Sequence, residues 1–203
     1  GAEGPADVLE GRLEVIPDVY ARWLDEQEAR VQALEAEGDL SADMAAQALS
    51  HVATGREVVR RIRDGIRIIV GDPAALLAFR LAQQAMCIQR RWSSPARPRL
   101  LWRPFQLAFQ LLTIGGIANP AHAGAPTADR LTMDLLWFPT GGGKTEAYLG
   151  LTAFTLFLRR LRAEGAEAAD WVAVIMRYTL RLLTVQQFER AARLVVACDY
   201  IDR

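Results

Sequence analysis

Apolar residues recur at helical spacing through the first half of the chain. Tyr20, Trp23, Leu24, Val31 and Leu34 form one such series. Val15-Ile16-Pro17-Asp18 predicts its start, with proline near the first helical position, and Gly38-Asp39 predicts its end. Ser41 is a good N-cap for a second helix, whose Ala45, Leu49, Val52, Val59, Ile62, Ile66 and Ile69 make one apolar stripe ended by Gly71. Asp72-Pro73 caps a third, with Leu77, Leu81, Cys87 and Ile88 expected inward until Trp92-Ser93-Ser94-Pro95 breaks it.

The pattern changes after Pro98. Leu100 to Thr113 reads as an apolar helix, and Ile114 to Arg130 as a loop rich in Gly, Ala and Pro. From Met133 the reading alternates. A strand over Met133 to Phe138 precedes a helix over Lys144 to Arg162; after a turn holding Gly165 come a strand over Trp171 to Met176 and a helix from Thr184 to about Tyr200. Such alternation predicts an α/β protein: a helical region over residues 1–98, then the first part of a RecA-like P-loop domain over 99–203. Two strands do not make a parallel sheet, so the sheet is expected to be incomplete here and finished by further sequence or by another chain.

Composition narrows the class little. The 203 residues are 51% hydrophobic, enough for a core, and 24 basic residues balance 24 acidic ones, so any nucleic-acid surface must be local. Cys87 and Cys198 lie far apart in helical patterns and are expected to be free, buried thiols in a reducing compartment. No stretch is long and apolar enough for a membrane span and no signal peptide is read, so the expected location is the cytoplasm. His51 and His122 are isolated from any metal-ligating or nucleophilic neighbour.

The strongest chemical signal is Trp137-Phe138-Pro139-Thr140-Gly141-Gly142-Gly143-Lys144-Thr145, a strand running through glycines into a helix. Backbone N–H groups and the positive end of the helix dipole would converge on a triphosphate, with Thr140, Gly141, Gly142, Gly143 and Glu146 around it. Lys144 would reach the β- and γ-phosphates and the Thr145 hydroxyl would ligate Mg²⁺, making ATP and Mg²⁺ the expected cofactors. Phe138 stands where the general motif has its first glycine; the form P-T-G-G-G-K-T is similar to motif I of superfamily 2 helicases and translocases.

Two further segments fit that order. In Trp102-Arg103-Pro104-Phe105-Gln106, Gln106 is the candidate adenine reader, because an amide can donate to and accept from a base edge at once. Arg103 or Phe105 would stack on the base, and Gln110 is a weaker alternate for Gln106. After the second expected strand, Arg177, Thr179, Arg181 and Gln186 suit contacts to one nucleic-acid backbone, as in motif Ia of superfamily 2. Ion pairing with acids elsewhere is the competing use of these arginines. Arg56, Arg60, Arg63 and Arg67 form a basic stripe on the second helix that reads better as a solvated face than as a phosphate track. Arg90, Arg91, Arg97, Arg99 and Arg103, set among Trp92 and Trp102, leave that choice open.

Together, Phe79-Arg80-Leu81-Ala82, the Trp102 to Phe109 segment, the Leu135 to Gly150 segment and the Met176 to Thr184 segment resemble the helicase-like subunits of DISARM, a bacterial antiphage defence system. The resemblance runs from about Ala75 onward. It implies a superfamily 2 DNA-dependent ATPase that works with a second DISARM subunit and engages invading DNA, single-stranded or at an end. The acidic box that positions water and the arginines of a second lobe are absent from this sequence, so the chain by itself is expected to lack turnover. A different P-loop NTPase or kinase, and a helical interaction module with a non-hydrolysing nucleotide site, are the alternative readings.

Overall fold

The computed structural model describes residues 5–96, 99–118, 131–139, 141–163, 172–177 and 181–202, with the side chains of 181–184 left aside. Its long helices are α1 (Ala6–Ala36), α2 (Ala42–Gly71), α3 (Pro73–Ser93), α4 (Pro104–Ala118), α5 (Lys144–Arg162) and α6 (Arg181–Asp202). Their ends follow local chemistry. Gly38 takes φ 80° after α1, a left-handed turn that glycine adopts without steric cost. Ser41 Oγ accepts from Met44 N at 3.4 Å, and Asp72 Oδ1 accepts from Ala74 N at 2.8 Å with Pro73 opening α3.

One apolar core joins these helices. Leu9 and Leu13 of α1, Ile62, Ile66 and Ile69 of α2, Phe79 and Met86 of α3, Leu111 and Ile114 of α4, Phe154 and Phe157 of α5, and Leu194 of α6 belong to one buried cluster. α3 turns a face of Ala75, Ala78, Ala82 and Ala85 into it, all at 0% exposure. Alanines let a neighbouring helix approach closely, which is why Leu77 and Cys87, expected inward, are exposed. Cys198 is the buried thiol, and burial pushes its pKa up to about 12. α2 meets α4 at Gly65, where an added Cβ would lie 2.0 Å from the Leu111 carbonyl oxygen. Gly65→Ala is therefore expected to destabilise the fold: overpacking against backbone costs about 1–3 kcal/mol or more, against about 0.5–1 kcal/mol recovered in helix propensity. Urea unfolding of the variant measures the balance.

The expected RecA-like parallel sheet is not present: among the described residues there is no β-strand, and the α/β expectation is corrected to an all-helical arrangement. Residues 132–139 and 172–177 take no regular secondary structure. Met133, Leu135 and Trp137 are 80–93% exposed, whereas a strand inside a parallel sheet is covered on both faces. Asp134 sits within that apolar run and is drawn to Arg61 of α2 by two hydrogen bonds of 2.6 and 2.8 Å. In the second of these stretches Val172 and Ile175 are 77% and 85% exposed, and Arg159 Nη1 donates to the Val172 carbonyl at 2.8 Å.

Other boundaries shift less. α1 begins at Ala6 and carries Pro17 inside it, buried beside Leu9 and Leu13, so Pro17 marks no start. α4 begins at Pro104, later than Leu100, and continues through Ala118 into the stretch read as a loop; 119–130 lie outside the described residues. So do Gly165, Trp171 and Arg97.

Candidate functional site: the glycine loop at the start of α5

α5 opens without a side-chain cap. Its N-cap is Gly143 at φ 92°, a left-handed conformation, and Gly141 shares it at φ 79°. Helix-opening N–H groups have no intrahelical acceptor, so this end offers donors to an anion. A Cβ on Gly141 would meet nothing within 4 Å, whereas one on Gly142 would run into the Phe138 ring at 2.3 Å. Gly142 N donates to the Pro139 carbonyl at 3.1 Å, closing the turn. Lys144 folds back so that Nζ donates to the Phe138 carbonyl and, at 3.5 Å, to that of Pro139. These acceptors are neutral, and a phosphate oxygen would compete for the ammonium through a stronger, charge-assisted bond. Thr145 stands half-buried in the first turn. Thr140 lies outside the described residues.

The Trp102 to Gln106 segment meets this loop directly. Arg103 Nη1 donates to the Gly142 carbonyl at 2.9 Å and Gln106 Nε2 to that of Gly143 at 2.7 Å. Gln106 Oε1 accepts from Arg103 N at 2.8 Å, so the amide is held at both ends. Gln106 is 4% exposed, and its hold on the loop leaves one N–H and one lone pair for anything else. Phe105 stacks on Phe138, ring centroids 3.8 Å apart and planes 15° from parallel. That contact gives Phe138 a packing role in place of the motif's usual glycine, and it covers one face of the ring proposed for base stacking. Gln110 is buried one turn on, and Nε2 donates to the Gln106 carbonyl at 3.3 Å.

α6 closes the other side. Arg190 pairs with Glu146, the residue after Thr145, while the second oxygen of Glu146 is buried with no partner. Nothing local in the sequence marks Arg190, since its partner is 44 residues away. A cavity of about 760 Å³ lies between the end of α3, residues 99–103, the glycines and α6. Gln186 lines this cavity, whereas Arg177, exposed, lines a separate one with Tyr148 and Thr155. Arg177 and Gln186 are thus not brought to one cavity; Thr179 and the Arg181 side chain lie outside the described residues.

The basic stripe of α2 is accounted for within the fold. Arg56 pairs with Asp25 and Glu28, Arg63 with Glu14 and Asp18, and Arg60 and Arg67 with acids of α2 itself. Glu28 first, then Asp25, makes the Arg56 guanidinium more basic than usual. No group of acids, His or Cys among the described residues could hold a metal ion, and no helix among them is long and apolar enough to cross a membrane.

Fold and site define a helix-rich chain that presents a clamped glycine loop, a lysine and a threonine at one helix N-terminus. No family model matches it. Over 158 residues it is 42% identical to the DISARM protein DrmA of Bacillus paralicheniformis, an alignment that takes in 69% of this chain and 14% of that protein. The chain is a DrmA-like DISARM sequence. It spans about one seventh of the length of that relative.

Proposed function

We propose that this chain is the ATP-binding part of a superfamily 2 DNA helicase or translocase that acts in antiphage defence together with other DISARM subunits. The likeness to DrmA supports the defence role. The observation that carries the nucleotide reading is the pair of bonds from Arg103 and Gln106 to the carbonyls of Gly142 and Gly143. Two motifs almost forty residues apart, one suited to a base and one to phosphates, meet in a single site. Lys144 and the loop N–H groups would bind the β- and γ-phosphates, and Thr145 would hold Mg²⁺. Gln106, which lines the cavity and keeps one N–H and one lone pair beyond its bonds to the loop, would read adenine. Arg177, Thr179 and Arg181 would contact the DNA backbone without reading its sequence.

Calorimetric titration of the chain with Mg²⁺ and either ATP or GTP tests the nucleotide half. ATP is expected to bind and GTP to bind at least several-fold more weakly. Absence of ATP binding would overturn the site, and equal affinities would remove Gln106 as adenine reader. Stimulation of ATP hydrolysis by single-stranded DNA in the longer protein tests the motor half and separates it from a P-loop kinase.

A further inference from the structure

We propose that the helical part of the chain completes the nucleotide site, with Arg90 of α3 and Arg99 of the following segment as phosphate ligands. The inference rests on the nucleotide reading above. The cavity beside Gly141, Gly142 and Gly143 is lined by five arginines and two glutamates. Arg190 is matched by Glu146, Arg193 by Glu189 at 3.3 Å, and Arg103 is bound to the Gly142 carbonyl. For the guanidinium groups of Arg90 and Arg99 the described residues supply neither a hydrogen bond nor an acid. Two uncompensated guanidinium groups on one concave wall raise the local potential for an anion. A cation in the last turn of α3 is favoured by the helix dipole, which would explain Arg90 alone. Arg99 lies outside any helix, so the dipole does not explain it.

Glu146 lines the same wall. Oε2 of Glu146 is buried and unpartnered, and a buried carboxylate oxygen calls for a donor. Phosphate oxygens held at Arg90 and Arg99, beside a glycine loop that would take the β- and γ-phosphates, are what a nucleotide would bring. Its phosphate chain would reach the glycine loop from the cavity side. A nucleic-acid backbone would satisfy the arginines too, but the wall it would share is made by the glycines that the nucleotide reading already uses.

The test is titration of the chain and of its Arg90→Gln/Arg99→Gln variant with ATP, ADP, AMP and adenosine. ATP affinity is expected to fall on the order of 10- to 100-fold in the variant, with smaller losses for ADP and AMP and none for adenosine. Arg99→Gln alone, at an exposed position, carries the same graded expectation if the double variant fails to fold. Unchanged ATP affinity in a variant, while Lys144→Ala still weakens binding, would overturn this inference and leave the nucleotide site standing. So would an equal loss for adenosine, or a loss of oligonucleotide binding with ATP affinity intact. Failure of the unmodified chain to bind ATP would overturn both.

Discussion

Asp134→Ala is expected to destabilise the chain by up to about 3–5 kcal/mol, because it removes the carboxylate that accepts two hydrogen bonds from the buried Arg61 guanidinium. Arg61 is 7% and Asp134 16% exposed at the side chain, and the two bonds between them form the parallel fork that makes arginine–carboxylate pairs strong. Surface pairs such as those of Arg56 and Arg60 are half exposed and screened by solvent, so breaking one is expected to matter far less. The contrast is therefore large enough to read by urea unfolding. Replacing both partners, Arg61→Met with Asp134→Leu, is expected to recover much of the loss, because it removes the desolvated charge along with its partner. A loss below about 1 kcal/mol in Asp134→Ala would mean that the pair is not buried in solution. The pair also ties α2 to the stretch leading into the glycine loop, so nucleotide affinity measured on the folded fraction is expected to drop with it.

What the sequence disclosed well is what adjacent residues decide. Ser41, Asp72-Pro73 and Gly38 act on backbone groups within four positions, and helix α5 runs over the expected Lys144 to Arg162. The apolar stripe of α2 is buried at six of its seven expected positions, Leu49 being half-covered. Distant partners were illegible. An apolar run such as Met133 to Phe138 reads as a buried strand only on the assumption that neighbouring strands cover it. Here Asp134 is turned toward Arg61, 73 residues earlier, and Trp137 is 88% exposed. On α3, Leu81 and Ile88 pack against the core as expected but Leu77 and Cys87 do not, because the fully buried face goes to Phe79, Met86 and the alanines, which allow close helix approach. For the candidate site, the glycine loop and Gln106 were visible as motifs. That Gln106 grips the loop, or that Arg190 reaches Glu146 from α6, depends on helix placement that no local spacing encodes.

Lys144→Ala is expected to lower ATP affinity on the order of 100-fold, since one charge-assisted hydrogen bond is worth ~1.5–3 kcal/mol and the ammonium would face two phosphates. The fold should hardly notice. Among the described residues the Lys144 ammonium bonds only to two carbonyls of its own loop, Phe138 and Pro139, and the turn is kept by Gly142 N on Pro139, by the left-handed Gly141 and Gly143, and by Arg103 and Gln106. Affinity and stability should therefore separate: a large fall in calorimetric ATP binding with an unfolding midpoint close to that of the unmodified chain. Adenosine, which offers the ammonium nothing, should bind both proteins alike. Were ATP affinity unchanged, the folded-back lysine would be a structural tie across the loop, and the phosphate-binding role of the glycines would fall with it. A joint loss of stability and affinity would instead mean that the bonds to Phe138 and Pro139 hold the loop in shape, and that the clamp from Arg103 and Gln106 is too weak to replace them.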